Sequence, residues 1–237
     1  MIKCFYDLHI HSTLSPCASN DMTLHNIVNM ACLKGLDIIS LTDHNSAKNV
    51  EAIMDYARTK SLIVIPGIEV ETYEGIHMLC YFKSCEDIKL FNKIIYQKIP
   101  RVQNNEQLLG EQLILDKNDC VVCKEVKMLL NSTCVKLNEL TNLVHLMNGL
   151  VFTAHIDRKT NSIITILGFI PENLAIDGIE ISHNAKLIEY QKETFSKYRI
   201  IQNSDAHYIG NICEKINYLK LKEKSIEAFF DYFGGVT

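Results

Sequence analysis

The segment Asp7-Leu8-His9-Ile10-His11 places two imidazoles two residues apart. In an extended strand, residues i and i+2 share a face. His9 and His11 therefore point the same way, with Asp7 one step deeper on that face. Two imidazoles on one face can grip a single metal ion, although one HxH pair alone is a common coincidence. Here the same chemistry recurs along the chain, in Thr42-Asp43-His44, Gly67-Ile68-Glu69, His77, Ala154-His155-Ile156-Asp157 and Asn203-Ser204-Asp205-Ala206-His207. Each group falls at an end of an apolar stretch, mostly the C-terminal end. Six imidazoles and several carboxylates gathered at one mouth would be badly frustrated without cations. Histidine nitrogen combined with carboxylate oxygen suits zinc, manganese or iron better than calcium.

The elements that must position these residues are strands expected at 2–9, 37–42, 62–70, 76–82, 150–155, 177–182 and 199–203, and helices at 23–34, 46–60, 86–98, 138–148, 185–197 and 225–233. Gly35 and Gly149 stand where helix C-caps belong, and Asn45 or Ser46 is placed to cap the second helix. Alternating strands and helices imply a parallel sheet or barrel. Seven strands with no glycine-rich phosphate loop favour a barrel, in which the C-terminal strand ends converge on the face where active sites are built. The stretch from about 84 to 137 breaks the rhythm and reads as an insertion packed on one domain spanning 1–237.

The bulk numbers fit that picture. The chain has 237 residues, 47% hydrophobic and 22% charged, which is enough to bury a sizeable core. Its net charge of -4 argues against a broad nucleic-acid surface held by charge alone, and so against a stable nucleic-acid complex. No apolar run reaches the ~18 residues of a membrane helix, and the N-terminus reads into a strand, not a signal peptide. The nine cysteines are odd in number and irregular in spacing, which suggests reduced thiols and a cytoplasmic location. Cys120 and Cys123 form a CxxC with no second ligand pair, and their flanks read as a hairpin with an Asp/Asn turn.

The ordered set, HxH at 9–11, TDH at 42–44, GIE at 67–69, His77, AH at 154–155 and SDAH at 204–207, resembles the polymerase and histidinol phosphatase (PHP) family, most closely its small stand-alone phosphoesterases. The resemblance covers nearly the whole chain apart from 84–137. It implies a distorted (β/α)7 TIM-like barrel carrying two or three divalent transition-metal ions (manganese, zinc or iron). Carried over position by position, the ligands are His9, His11, His44, Glu69, His77, His155, Asp205 and His207. Asp43 is expected as a ligand or supporting carboxylate with a catalytic part. The family usually adds a ligand shortly after the HxH. Pro16 stands at that position and cannot ligate, so Asp21, two residues before Thr23, is expected to replace it through a lengthened loop.

The activity implied is hydrolysis of a phosphate monoester of a small molecule or nucleotide by a metal-activated hydroxide. Arg158, three residues past His155, can contact the substrate phosphate. His183, at the end of the sixth strand, can touch substrate or protonate the leaving group. His25 and His145 fall inside helices and read as packing or solvent-facing, Glu71 as solvent-exposed, and Tyr6, Leu8 and Ile10 as barrel-to-helix packing. Three alternatives stand beside the monoesterase: a phosphodiesterase or exonuclease acting on short oligonucleotides, a non-catalytic metal-stabilised binding module, and carbon–nitrogen bond hydrolysis. The last typically needs a bridging lysine, and no lysine stands at a strand end.

Overall fold

The first helix shows how the sequence builds its layers. Leu24, Ile27, Val28 and Ala31 recur at helical spacing, and all four are buried. Thr23 caps the N-terminus by accepting from the Asn26 amide, and Gly35, at φ 72°, lets the chain turn out of the last turn into the next strand. The computed structural model describes residues 1–191 and 195–234. Their order is β1 (Ile2–Ile10), α1 (Leu24–Leu33), β2 (Ile38–Leu41), α2 (Val50–Ala57), β3 (Ile63–Glu71), β4 (His77–Tyr81), α3 (Cys85–Lys98), α4 (Glu106–Leu109), β5 (Leu113–Leu115), β6 (Val121–Lys124), α5 (Leu137–Leu146), β7 (Leu150–Thr153), α6 (Ile163–Leu167), β8 (Gly178–Ser182), α7 (Leu187–Tyr190), β9 (Ile200–Asn203), β10 (Tyr218–Leu221) and α8 (Ile226–Gly234).

Eight strands form one sheet in the order β10-β1-β2-β3-β4-β7-β8-β9. The sheet curls until the chain leaving β9 meets β1. The His11 amide donates to the Ala206 carbonyl at 3.0 Å, the Ala206 amide to the His9 carbonyl at 3.2 Å, and the Leu8 amide to Asn203 Oδ1 at 2.9 Å. All seven expected strands are present. β4 departs from a regular barrel by running antiparallel to both β3 and β7. An eighth strand of this sheet lies outside the expected ones: β10, an alternating Tyr-Leu-Lys-Leu run that pairs antiparallel with β1.

The core has two parts. The α1, α2, α3 and α5 helices pack on one side of the sheet against Leu41, Ile68, Val70 and Cys80. α3 belongs to this layer, so the break in rhythm begins after it, with the separate β5–β6 hairpin. On the other side Tyr6, Leu8, Ile38, Ile65, Tyr81 and Phe152 meet the phenylalanines of α8. Tyr6 and Leu8 pack there, whereas Ile10 joins the helix layer. The register of β1 on β2 shifts between Asp7 and Ile10, and a one-residue shift exchanges faces.

Three local expectations change. α2 starts at Val50, and Asn45 is no cap. It adopts φ 51°, and its amide nitrogen donates to the Leu129 and Asn131 carbonyls. After α5 the left-handed residue is Asn148, at φ 54°, one before Gly149. The helix expected at 185–197 is reduced to α7, with a turn at 195–197 and residues 192–194 outside those described.

Phe229 is fully buried and meets Tyr81 and Phe233 edge-on, with ring centroids 6.1 and 5.1 Å away. Phe229→Ala is expected to destabilise the chain by about 3–5 kcal/mol in denaturant unfolding. A loss below about 1 kcal/mol would show that α8 does not close this core.

Candidate metal centre

Each element delivers its polar residue to one place because the strand ends meet there. His9 is near the end of β1 and His11 follows it, His44 follows β2, Glu69 is near the end of β3, His155 follows β7, and Asp205 and His207 follow β9. His77 is the first residue of β4. Because β4 is antiparallel, its N-terminal end lies beside the C-terminal ends of its neighbours, so His77 faces the same mouth. Gly67 is required just before Glu69, since a Cβ there would stand 2.2 Å from Ser40 Oγ on β2.

Glu69 is the hub. Its Oε1 lies 2.9 Å from His77 Nδ1, 3.3 Å from His155 Nε2 and 3.4 Å from His9 Nε2, and its Oε2 lies 2.9 Å from His44 Nδ1 and 3.4 Å from His11 Nε2. Asp205 is the second carboxylate. Its Oδ1 is 3.0 Å from His11 Nε2, 3.3 Å from His9 Nε2 and 3.5 Å from His207 Nδ1. The His11 and His207 rings stack at 4.2 Å between centroids, and those of His11 and His44 lie 4.4 Å apart. His155 and Asp205 both sit at positive φ, 26° and 51°, backbone strain of the kind found where a side chain must be aimed.

A second set of residues holds the first. Both oxygens of buried Glu180 lie 3.0 Å from His9 Nδ1, and Glu180 also accepts from the His155 amide and Asn203 Nδ2. Ser15 Oγ is 2.9 Å from His11 Nδ1 and donates to Asp43, whose carboxylate also takes the Ser12 amide and hydroxyl. Glu71 accepts from Ser132 and lies 3.5 Å from His77 Nε2. Arg158 Nη1 is 2.5 Å from Asp205 Oδ2, while 42% of the arginine side chain stays exposed at the mouth.

The electrostatics follow from crowding. Burial opposes the charged form throughout, yet the nearby carboxylates Glu180, Asp205 and Glu69 hold His9 well above the usual histidine range. His44 is also held well above it, by Glu69. Burial, with His207 and His44 alongside, drives His11 well below it. Burial pushes Glu69 upward, but His77, His9 and His44 outweigh that and hold it well below the usual carboxylate range. Asp205 is likewise lowered, by His9 and His11.

The residues fit divalent cations. Glu69 Oε2, Asp205 Oδ1 and His155 Nδ1 are buried without hydrogen-bond partners, which water or a neighbouring group would normally relieve. Among the described residues three groups each gather donors within 4.8 Å of one another: His11, His44 and His207; His9, His11 and Asp205; His44, Glu69 and His77. Nitrogen and oxygen donors in such number match zinc, manganese or iron.

Eight of the nine expected ligands converge; Asp21 does not. It is exposed, its amide donates to Ser19 Oγ and its carbonyl accepts from Asn26, while Thr23 caps the helix. Buried Met22 pins the loop and leaves Asp21 facing outward. Cys17, on the same loop, is exposed and lies in none of the donor groups; the nearby His44 and His207 imidazoles lower its thiol to about 6 against the opposing effect of burial. Asp43 is wrapped by Ser12 and Ser15 and supports His11 from behind. It lies in none of the donor groups, and burial raises its carboxyl. His183 is exposed on a rim shared with Lys34, Asn211 and Glu214, likewise outside every donor group. Glu71, expected in solvent, is largely covered because Ser132 and Thr133 fold over it. His25 stacks on Tyr56 and His145 pairs with Asp177, both in packing roles. Glu180 was readable as an acid inside an apolar strand, a placement that demands a buried partner.

A curled α/β sheet with a histidine–carboxylate centre at its strand ends is a fold class with known members. The sequence matches the PHP domain model over residues 7–201, and the chain belongs to that family. An uncharacterized protein from Methanocaldococcus jannaschii is 34% identical over 89 residues, 38% of this chain and 11% of that one. Among solved structures, the lesion-specific endonuclease Q from Pyrococcus furiosus superposes with a TM-score of 0.72 at 19% identity, covering 100% of this chain and 57% of that one. A protein from Bifidobacterium adolescentis assigned as a metal-dependent phosphoesterase superposes at 0.58 and 16% identity, covering 85% and 87%. This chain thus spans just over half of the endonuclease and a small part of the archaeal relative. At these identities the structural likeness concerns the fold.

Replacing Glu180 by Gln keeps a hydrogen-bonding side chain behind His9 but removes its charge. Metal affinity is expected to fall roughly 10–100-fold in titrations of the folded protein. Unchanged affinity would show that Glu180 does not tune His9.

Proposed function

We propose that the chain is a metal-dependent phosphoesterase that hydrolyses a phosphate monoester of a small molecule or nucleotide. The observation that carries this reading is the convergence of six imidazoles on two buried carboxylates, with three donor atoms left unpartnered. His9, His11, His44, Glu69, His77, His155, Asp205 and His207 would hold two or three divalent ions. When bound, such ions supply Lewis acidity that polarises a phosphoryl oxygen and activates water.

The chain's own residues supply the rest. Arg158 binds Asp205 on one side and keeps the remainder of its guanidinium exposed, so it can take a phosphate oxygen while steadying that carboxylate. His207, partly exposed beside Asp205, is the proposed ligand most open to solvent. Asp43 and His183 lie outside the donor groups.

A second reading, cleavage of a phosphodiester in an oligonucleotide, has its own support. The whole chain overlays the fold of endonuclease Q. Tyr208, next to His207, and Tyr73, two residues past Glu71, are 59% and 66% exposed. Exposed rings flanking a centre offer stacking platforms for bases.

The metal-loaded protein is to be assayed against nucleoside phosphates, sugar phosphates and end-labelled oligonucleotides, with chelated protein as control. Turnover of the first two classes is expected, and oligonucleotide cleavage alone would select the second reading. His9→Ala or Asp205→Ala is expected to lower turnover by more than the roughly 10–100-fold that loss of a supporting group costs, with the fold retained by circular dichroism. Undiminished turnover in either variant would contradict the assignment.

A further inference from the structure

Asn49 stands at the N-cap position of α2, where asparagine ordinarily accepts from a first-turn amide, yet its side chain makes no such bond. It is fully buried and committed elsewhere. Its Oδ1 accepts from the Leu115 amide at 2.9 Å, and its Nδ2 donates to the Leu113 carbonyl at 3.1 Å and to Ser12 Oγ at 3.0 Å. Both backbone partners lie on β5, the first strand of the inserted hairpin. A backbone amide can only donate and a carbonyl only accept, so these two fix which way round the Asn49 side chain sits. Its remaining N–H must then point at Ser12.

Ser12 carries that constraint inward. Its hydroxyl oxygen accepts from Asn49 and, at 3.2 Å, from the Leu14 amide, which uses both acceptor positions and leaves the hydroxyl only its proton to give. That proton goes to Asp43 Oδ2 at 2.7 Å, while the Ser12 amide donates to Asp43 Oδ1 at 2.6 Å. The carboxylate so held takes the Ser15 hydroxyl at 2.8 Å. Ser15 Oγ in turn lies 2.9 Å from His11 Nδ1 and accepts from the His44 amide at 3.1 Å. One unbroken run of bonds therefore leads from the hairpin to two of the proposed ligands, and each side chain in it from Asn49 to His11 is buried. The hairpin also presses on the same loop directly. The Leu113 amide donates to the Thr13 carbonyl at 2.8 Å, and Leu14 packs with Ile99 and Leu129, which flank the hairpin in sequence.

We propose that Asn49 is a positioning residue for the metal centre: it ties the inserted hairpin to Ser12 and so sets the Asp43 carboxylate that, through Ser15, orients His11 toward an ion. The inference rests on the metal centre of the proposed function and adds to it a use for the insertion, which braces the ligands from behind. Two of the three Asn49 bonds hold the hairpin, and the third, to Ser12, is the one that reaches the ligands.

Two substitutions separate those parts. Asn49→Ala removes all three bonds, whereas Ser12→Ala keeps both hairpin bonds of Asn49 and cuts the path to Asp43. The chelator-treated full chain, as wild type, each single variant and the double variant, is to be titrated with zinc against a chromophoric chelator, with the fold checked by circular dichroism. Each single change is expected to loosen one ion roughly 10-fold, the low end of what partners behind a metal ligand cost. Both act along one path, so the double variant is expected to bind no more weakly than the weaker single one. Unchanged zinc affinity in folded Asn49→Ala, with only its unfolding midpoint lowered, overturns the proposal, as do losses that multiply in the double variant. Undiminished affinity in Ser12→Ala overturns it as well. Should Asn49→Ala not fold, Asn49→Asp takes its place under the same outcomes, since it keeps the shape and the Leu115 bond but offers Ser12 no N–H. Each of these results leaves the metal centre standing, whereas failure of the wild type to take up zinc overturns both.

Discussion

One buried carboxylate touches five imidazoles. Glu69 is 1% exposed, and every imidazole of the centre except His207 comes within 3.4 Å of its oxygens. Such a carboxylate stays charged only with cationic neighbours, yet crowded imidazoles cannot all carry protons without repelling one another. The opposed fates of His9 and His44, held high, and His11, driven low, express that conflict. Divalent ions would resolve it, since a neutral imidazole is itself a ligand and an ion would bring the positive charge that Glu69 and Asp205 require.

The fold is arranged to keep that conflict from relaxing by movement. Backbone bonds between His9, His11 and Ala206 fasten the first and last parallel strands at the level of the ligands. Asp7, fully buried, accepts from the Ser204 amide and hydroxyl and from the Cys213 amide, so the segment carrying Asp205 and His207 cannot swing away from β1. Glu180 and Asp43 hold the far nitrogens of His9 and His11, the second of them through Ser15. Positive φ at His155 and Asp205 stores local strain that this framework sustains.

The strand ends were legible in the sequence because side-chain alternation and apolar runs are local signals. His9, His11, His44, Glu69, His155, Asp205 and His207 could be placed from them. His77 could be found by type, but why a residue at a strand's start reaches the mouth depends on β4 running antiparallel, which pairing decides and no local pattern announces. β10 was lost because four alternating residues inside a lysine-rich stretch carry little signal. Asp21 faces away because the path of the loop is set by remote bonds, from Ser19 to His207 and from Leu14 into a small separate core, which no local pattern announces. Asp43 sits beside His44 in sequence, yet it faces Ser12 and Ser15 once the turn after β1 has formed.

Cations must occupy this cluster if its buried charge is to be balanced. Elemental analysis of protein purified without chelator, with content normalised to chain concentration, reads this directly. Two or three transition-metal ions per chain are expected. A content near zero, with no uptake when zinc, manganese or iron is returned to the protein, would contradict the claim that metal resolves the buried charge around Glu69.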